Sequence, residues 1–319
     1  MSLVPAAEKV DGLGRFLLEG APVRGEIVSL SDAWRAVVTR HDLPVAVRNC
    51  LGELCAAGLL LAASLKFDGT LVLQIHGDGP VALLVVECDA TGRFRATAKL
   101  REGRICPQDA ALPALVNAHG NGRFVVTLDP GAGSPNRQPY QGIVPFEGDT
   151  IAQVLERYMA RSEQVPTRLW TAADDQRAVG LLLQRLPDEG GKPATTPGAA
   201  GSRPADSDAW NRLQLLAETL SRAELLEVPA PDLMRRLFWQ ESLRWLDDRR
   251  PRFECACSRS KVASMLQMLG RAEIESILAE QGSVSVRCEF CNAPYAFDAV
   301  DSAELFVSGP LAPASRSRH

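Results

Sequence analysis

Four cysteines constrain this 319-residue chain more than any other feature: Cys255-Ala-Cys257, thirty residues, then Cys288-Glu-Phe-Cys291. The thiolate is the metal-binding form of cysteine, and four thiolates closing a tetrahedron make a structural zinc site. The C-x-x-C half has an ordinary knuckle spacing. The C-x-C half leaves little slack between its sulfurs; it can chelate, and it could also close on itself as a strained, labile disulfide. The intervening stretch is longer than the roughly fifteen to twenty residues of common zinc ribbons, so it should hold folded structure of its own. The expectation is one Zn2+ per chain, bound in the reduced form by Cys255, Cys257, Cys288 and Cys291. The alternative is four buried or disulfide-bonded cysteines without metal.

Composition sets the surroundings of that module. Apolar residues make up 46% of the chain, enough to bury a sizeable core. Thirty-five basic residues against thirty-nine acidic ones leave a formal charge of −4, which gives no reason to expect a nucleic acid or an acidic membrane as partner. Met1-Ser2-Leu3-Val4-Pro5 leads into charged residues with no apolar signal region. The most apolar window, Leu54 to Leu65, is too short to span a bilayer and reads as a buried helix. Eight cysteines in that context imply a reducing cytoplasm, where clustered cysteines bind metal or sense redox state rather than form structural disulfides.

The chain divides by pattern. Residues 1–187 read as a large α+β domain. Two strands flank Gly20, helices run to about Arg40 and over roughly 43–65, and strands follow between Thr70 and Leu100, at Arg123–Leu128 and at Gln141–Phe146. A helix capped by Asp149 or Thr150 precedes two further strands near 167–172 and 178–185. Cys50, Cys55, Cys88 and Cys106 read as core or incidental residues. Residues 188–207, rich in Gly, Pro, Ala and Thr, read as a flexible linker. Residues 208–250 read as amphipathic helices, with Trp210, Leu233, Leu237, Phe238, Trp239, Leu243 and Trp245 as candidate binding-surface residues, and hold three of the chain's five tryptophans. So apolar a segment must fold onto something. It is either an ordinary helical subdomain or a sheltered surface that can be uncovered. Residues 251–307 form the metal module, with two helices and a strand pair, and 308–319 read as a disordered tail.

No catalytic constellation stands out. His41, His76, His119 and His319 are scattered, and the glycine-rich runs near 131 and 190–201 lack the strand-to-helix setting of a phosphate loop. The expectation is a protein that is not an enzyme. Over 251–319, seven Lys and Arg stand against eight Asp and Glu, so the clustered positive charge that phosphate contacts need is missing. A thiol oxidoreductase is the enzyme competitor, but the C-x-x-C does not open a helix after a strand, and a second cysteine pair stands by as co-ligand. A site that is metal-bound when reduced and disulfide-bonded when oxidised fits the residues better.

Several stretches carry a family resemblance: Phe253-x-Cys255-x-Cys257-Ser258, Cys288-Glu289-Phe290-Cys291-x-x-x-Tyr295-x-Phe297, Ser162-Glu163-Gln164-x-Pro166-Thr167 and Tyr140-x-Gly142-x-Val144. With the order of domains, they make the chain resemble the redox-regulated bacterial heat-shock chaperones called 33 kDa chaperonin. The resemblance implies an ATP-independent holdase, inactive while reduced and zinc-loaded. It further implies that oxidation pairs Cys255 with Cys257 and Cys288 with Cys291, releases zinc and loosens the linker helices. A surface for unfolding client proteins is then exposed, often with homodimerisation. The Gly/Pro-rich insert at 188–207 and the four extra cysteines depart from the family pattern. The competing readings are a constitutive zinc-stabilised interaction module and a thiol oxidoreductase.

Overall fold

The structure is a computed structural model that describes residues 11–65, 68–130, 138–187 and 208–307. The expected linker (188–207), tail (308–319) and glycine-rich run near 131, together with His319, lie outside the described residues. The chain forms two compact units, which divide between Glu254 and Cys255.

The first unit is α+β, as expected. Strands β1 (Gly12–Leu18) and β2 (Val23–Leu30) turn at Gly20, which sits at φ +82, a left-handed conformation that glycine adopts without cost. Helices α1 (Asp32–Val38) and α2 (Val45–Ser64) follow, and then a meander of β3 (Thr70–His76), β4 (Val81–Asp89) and β5 (Arg93–Leu100). A short helix, α3 (Leu112–Val116), which periodicity did not predict, precedes β6 (Arg123–Asp129) and β7 (Tyr140–Val144). Thr150 caps α4 (Ile151–Arg161) by accepting the Gln153 N–H, and β8 (Thr167–Ala173) and β9 (Ala178–Arg185) form a hairpin. Helices α5 (Ala209–Ala217), α6 (Arg222–Glu227) and α7 (Ala230–Leu237) lead to β10 (Leu243–Arg249) and the two-residue β11 (Arg252–Phe253).

The strands make two sheets. One runs β10-β1-β2-β9-β8 and is antiparallel throughout; the other runs β11-β5-β4-β3-β6-β7, antiparallel except where β11 joins β5. Helix α2 packs on strands of both sheets. It is buried along nearly its whole length, as a helix apolar all round must be. Gly52 allows this approach, because a Cβ there would lie 2.5 Å from Ala173 and 2.9 Å from the Trp34 ring. Among the described residues α2 is also the one helix long and apolar enough to cross a membrane, longer than the window read from sequence, and 78% of its apolar window is buried in the protein. The five-stranded sheet is covered on both faces. Leu182 and Ala178 of β9 face the cluster around α2, whereas Val179, Leu181 and Leu183 face a second cluster built with Leu213, Leu225, Leu233, Met234 and Phe238. That is why β9 is buried without alternation.

One expectation for 208–250 is corrected. The segment is helical only to Leu237; Leu243, Trp245 and Leu246 belong to strand β10 rather than to a helix. The open edge of β1 supplied the backbone partner, and the exposure of β10 alternates residue by residue. The described residues of this region belong to the first compact unit, which extends to Glu254.

The second unit holds α8 (Arg259–Leu269), α9 (Arg271–Gln281), the hairpin β12 (Val284–Arg287) and β13 (Pro294–Phe297), and α10 (Ala299–Val307), the last not anticipated. Ser258 caps α8, Gly270 breaks it from α9, and Gly282 ends α9 in the left-handed region. Its fully buried apolar side chains are Leu266, Ile274, Val284 and Phe297. Met265 and Leu269 of α8 are exposed.

Candidate metal centre

The second unit brings the four cysteines together from two local devices. Cys255 and Cys257 lie just before α8, where the Ser258 hydroxyl accepts the Lys261 N–H at 3.2 Å and the Lys261 ammonium donates to the Ala256 carbonyl at 2.7 Å. The bend between the two sulfurs is thereby tied to the first turn of the helix. Cys288 and Cys291 sit on the turn of the β12–β13 hairpin. There the Cys288 N–H donates to the Ala293 carbonyl at 3.0 Å and the Asn292 N–H to the Cys288 carbonyl at 2.8 Å. Asn292, at φ +59, takes the left-handed conformation that closes the turn, one of the few non-glycine types that does so readily.

The four Sγ atoms all lie within 4.8 Å of one another. The approaches across the two motifs are 3.6 Å for Cys255 to Cys288 and 3.3 Å for Cys257 to Cys291. Zinc–sulfur bonds of about 2.3 Å place the sulfurs of a tetrahedron about 3.8 Å apart, so donor type, number and spacing fit a zinc ion. All four are free thiols. Burial, together with its thiol neighbours, pushes the Cys291 thiol well up, against the pull of the Ala293 N–H. A dication reverses that preference and lets four sulfurs share the space as thiolates. The Tyr295 hydroxyl donates to Cys257 Sγ at 3.1 Å.

Among the described residues these cysteines are the group able to hold a metal. His41, His76 and His119 are not part of it. Cys50, Cys55 and Cys88 are core residues, and burial holds their thiols far above the usual range. A buried thiol of that kind is chemically inert. Cys106 is half-buried, and desolvation raises it too.

The candidate client-binding residues lie in the first unit. Leu233, Leu237 and Phe238 are buried against the five-stranded sheet, and Trp210, Leu243 and Trp245 are partly buried at the same cluster. Phe16 links them, its ring centroid 5.4 Å from Trp245, nearly edge-on, and 6.5 Å from Phe238. Trp239 is the exception, at 72% exposed. Sequence reasoning missed three residues around these sites: Tyr295 against Cys257, Gly14 beneath Trp245, and Glu26 buried within the same sheet. The Tyr-x-Phe alternation of β13 was a visible signal for the first; the other two depend on strand pairing.

The fold and site define an α+β protein with a small module that gathers four thiols able to hold a metal ion. A family model described as Hsp33 protein matches residues 11–298. A 33 kDa chaperonin of Methylobacillus flagellatus is 47% identical over 310 residues, covering 97% of this chain and 99% of the relative. One of Chromobacterium violaceum is 44% identical over 309 residues, covering 97% and 98%. The crystal structure of the 33 kDa chaperonin of Thermotoga maritima superposes with a TM-score of 0.74 at 21% identity, over 92% of this chain and 97% of that one, and so shares the fold. The chain belongs to the Hsp33 family of chaperones.

Proposed function

We propose that this chain is a redox-regulated, ATP-independent holdase that binds unfolding proteins during oxidative stress and prevents their aggregation in the cytoplasm. Cys255, Cys257, Cys288 and Cys291 hold one Zn2+ in the reduced, inactive form. The convergence of these four sulfurs within 4.8 Å carries the reading, and membership of the Hsp33 family supports it. Oxidation joins Cys255 to Cys257 and Cys288 to Cys291, and zinc leaves with its ligands gone. To form these bonds the sulfurs of each motif close from the spacing of the four-sulfur cluster to about 2.05 Å.

Loss of the ion removes the main support of the second unit. In the chain, Cys255 follows β11 by two residues and β10 by six. Loosening these strands and the helices before them uncovers Trp210, Leu233, Leu237, Phe238, Leu243 and Trp245, beside the already exposed Trp239, as the surface for unfolded clients. The activated form is a homodimer. Binding depends on apolar burial, without an enzymatic step, a nucleic acid or a membrane.

The test is light scattering from a thermally unfolding protein, with this chain added either reduced and zinc-loaded or oxidised with peroxide at mild heat. Suppression by the oxidised form alone is expected. Equal suppression by both forms, or none by either, sinks the switch and leaves a constitutive zinc-stabilised module.

A further inference from the structure

One polar group at the metal centre is left without a role by the four ligands themselves. Tyr295 of β13 pairs with Val286 of β12 and points to the same side of the hairpin as the buried Phe297. Its ring is half-buried against that core, and its hydroxyl donates to Cys257 Sγ at 3.1 Å. The ring is thus positioned by the hairpin core while its O–H is directed at one ligand, thirty-eight residues away in the chain. We propose that Tyr295 is a positioning residue that slows oxidation of the centre by drawing electron density from the Cys257 sulfur. This rests on the redox reading above and deepens it.

The chemistry follows from what peroxide needs. A ligand sulfur attacks one peroxide oxygen; an S–O bond forms, the O–O bond breaks, and hydroxide leaves with the electron pair. The sulfur has then lost two electrons and become sulfenic acid. A second thiolate displaces hydroxide from that sulfur, the S–S bond forms, and a proton turns the leaving group into water. The first attack uses the sulfur lone pair to which the phenol donates. A hydrogen bond to an anionic sulfur must weaken as that charge is consumed, so it stabilises the starting state more than the transition state. It also fixes where Cys257 Sγ stands beside Cys291 Sγ, 3.3 Å away. Groups that hydrogen-bond to a metal's ligands tune those ligands in general.

Tyr295→Phe keeps the ring and removes the donor. In the full-length, zinc-loaded, reduced protein, zinc release is followed with a chromophoric chelator, with and without excess peroxide. Dimedone trapping and mass spectrometry report sulfenic acid at Cys257. The expected result is peroxide-driven release accelerated by on the order of three- to tenfold, the range that part of a charge-assisted hydrogen bond supplies. Trapping at Cys257 increases, and zinc loss without peroxide is unchanged. Equal peroxide-driven rates in the two proteins overturn the inference and leave the redox switch intact. Faster loss without peroxide overturns it in favour of a purely structural contact. Failure of peroxide to release zinc from the unsubstituted protein overturns the redox reading and this inference with it.

Discussion

At the residue scale, the costliest buried group is Glu26. Its side chain on β2 is 1% exposed; Arg15 approaches at 3.5 Å, and the second carboxylate oxygen meets no partner among the described protein groups. Burial raises its pKa to about 7, against the opposing pull of Arg24 and Arg15. The unfolded chain ionises this carboxyl near 4.5, so the folded state holds the proton longer. The contribution to stability is therefore full below about 4.5 and is lost as pH rises through about 7. The difference corresponds to about 3 kcal/mol. Glu26→Gln should raise the melting temperature of the first unit at pH 8 and leave it nearly unchanged at pH 4. A calorimetric pH series that keeps the wild-type slope in the variant would refute this assignment. Such a residue is not legible in the sequence: an alternating Glu on a strand reads as solvent-facing until β1 and β9 flank it, opposite Arg15 and Leu182, inside the sheet.

At the element scale, β10 is the decisive piece. It closes the sheet edge at β1, with Trp245 packed over Gly14, where a Cβ would come within 2.7 Å of the indole ring. Bare edge strands are open to pairing with other chains, and a covering strand suppresses that. Gly14→Ala should push Trp245 outward and destabilise the strand by about 1–3 kcal/mol. Hydrogen exchange should then quicken in the 243–249 amides and stay slow in β9. Under the proposed function the variant also binds unfolded protein to a small extent without oxidant. Unchanged exchange in β10 would mean that the indole repacks freely and that Gly14 has no part in holding it. By contrast, α2, β3, β4 and β9 were readable, because α2 and β9 are long apolar runs buried nearly throughout and β3 and β4 carry apolar residues along most of their length. The pattern in β10 was too short and too charged to separate from the helices before it.

At the scale of the whole molecule, the two units differ in what holds them. The first buries two apolar clusters on the faces of its sheets. Among its described residues the second fully buries four apolar side chains, too few for independent stability at its size. Metal ligation is worth on the order of 10 kcal/mol in comparable modules and, under the proposed function, fills that gap. Cys255→Ser, or a strong chelator in reducing buffer, should therefore abolish the cooperative melt of the second unit and release the zinc, while the first unit's transition survives. Under the proposed function the variant is partly active without oxidant. A second unit that melts normally without metal would show that its own packing suffices. The sequence by itself determined the candidate ligand set, since metal chemistry restricts which residues can serve and local spacing displays them. It also determined the α+β class, since periodicity of two and 3.6 is written along each long element. Only the tertiary structure decided that 243–249 is a strand, that Glu26 is buried, and that the Tyr295 hydroxyl meets Cys257. Each of these depends on a partner distant in the chain, and no local pattern encodes which distant group will arrive.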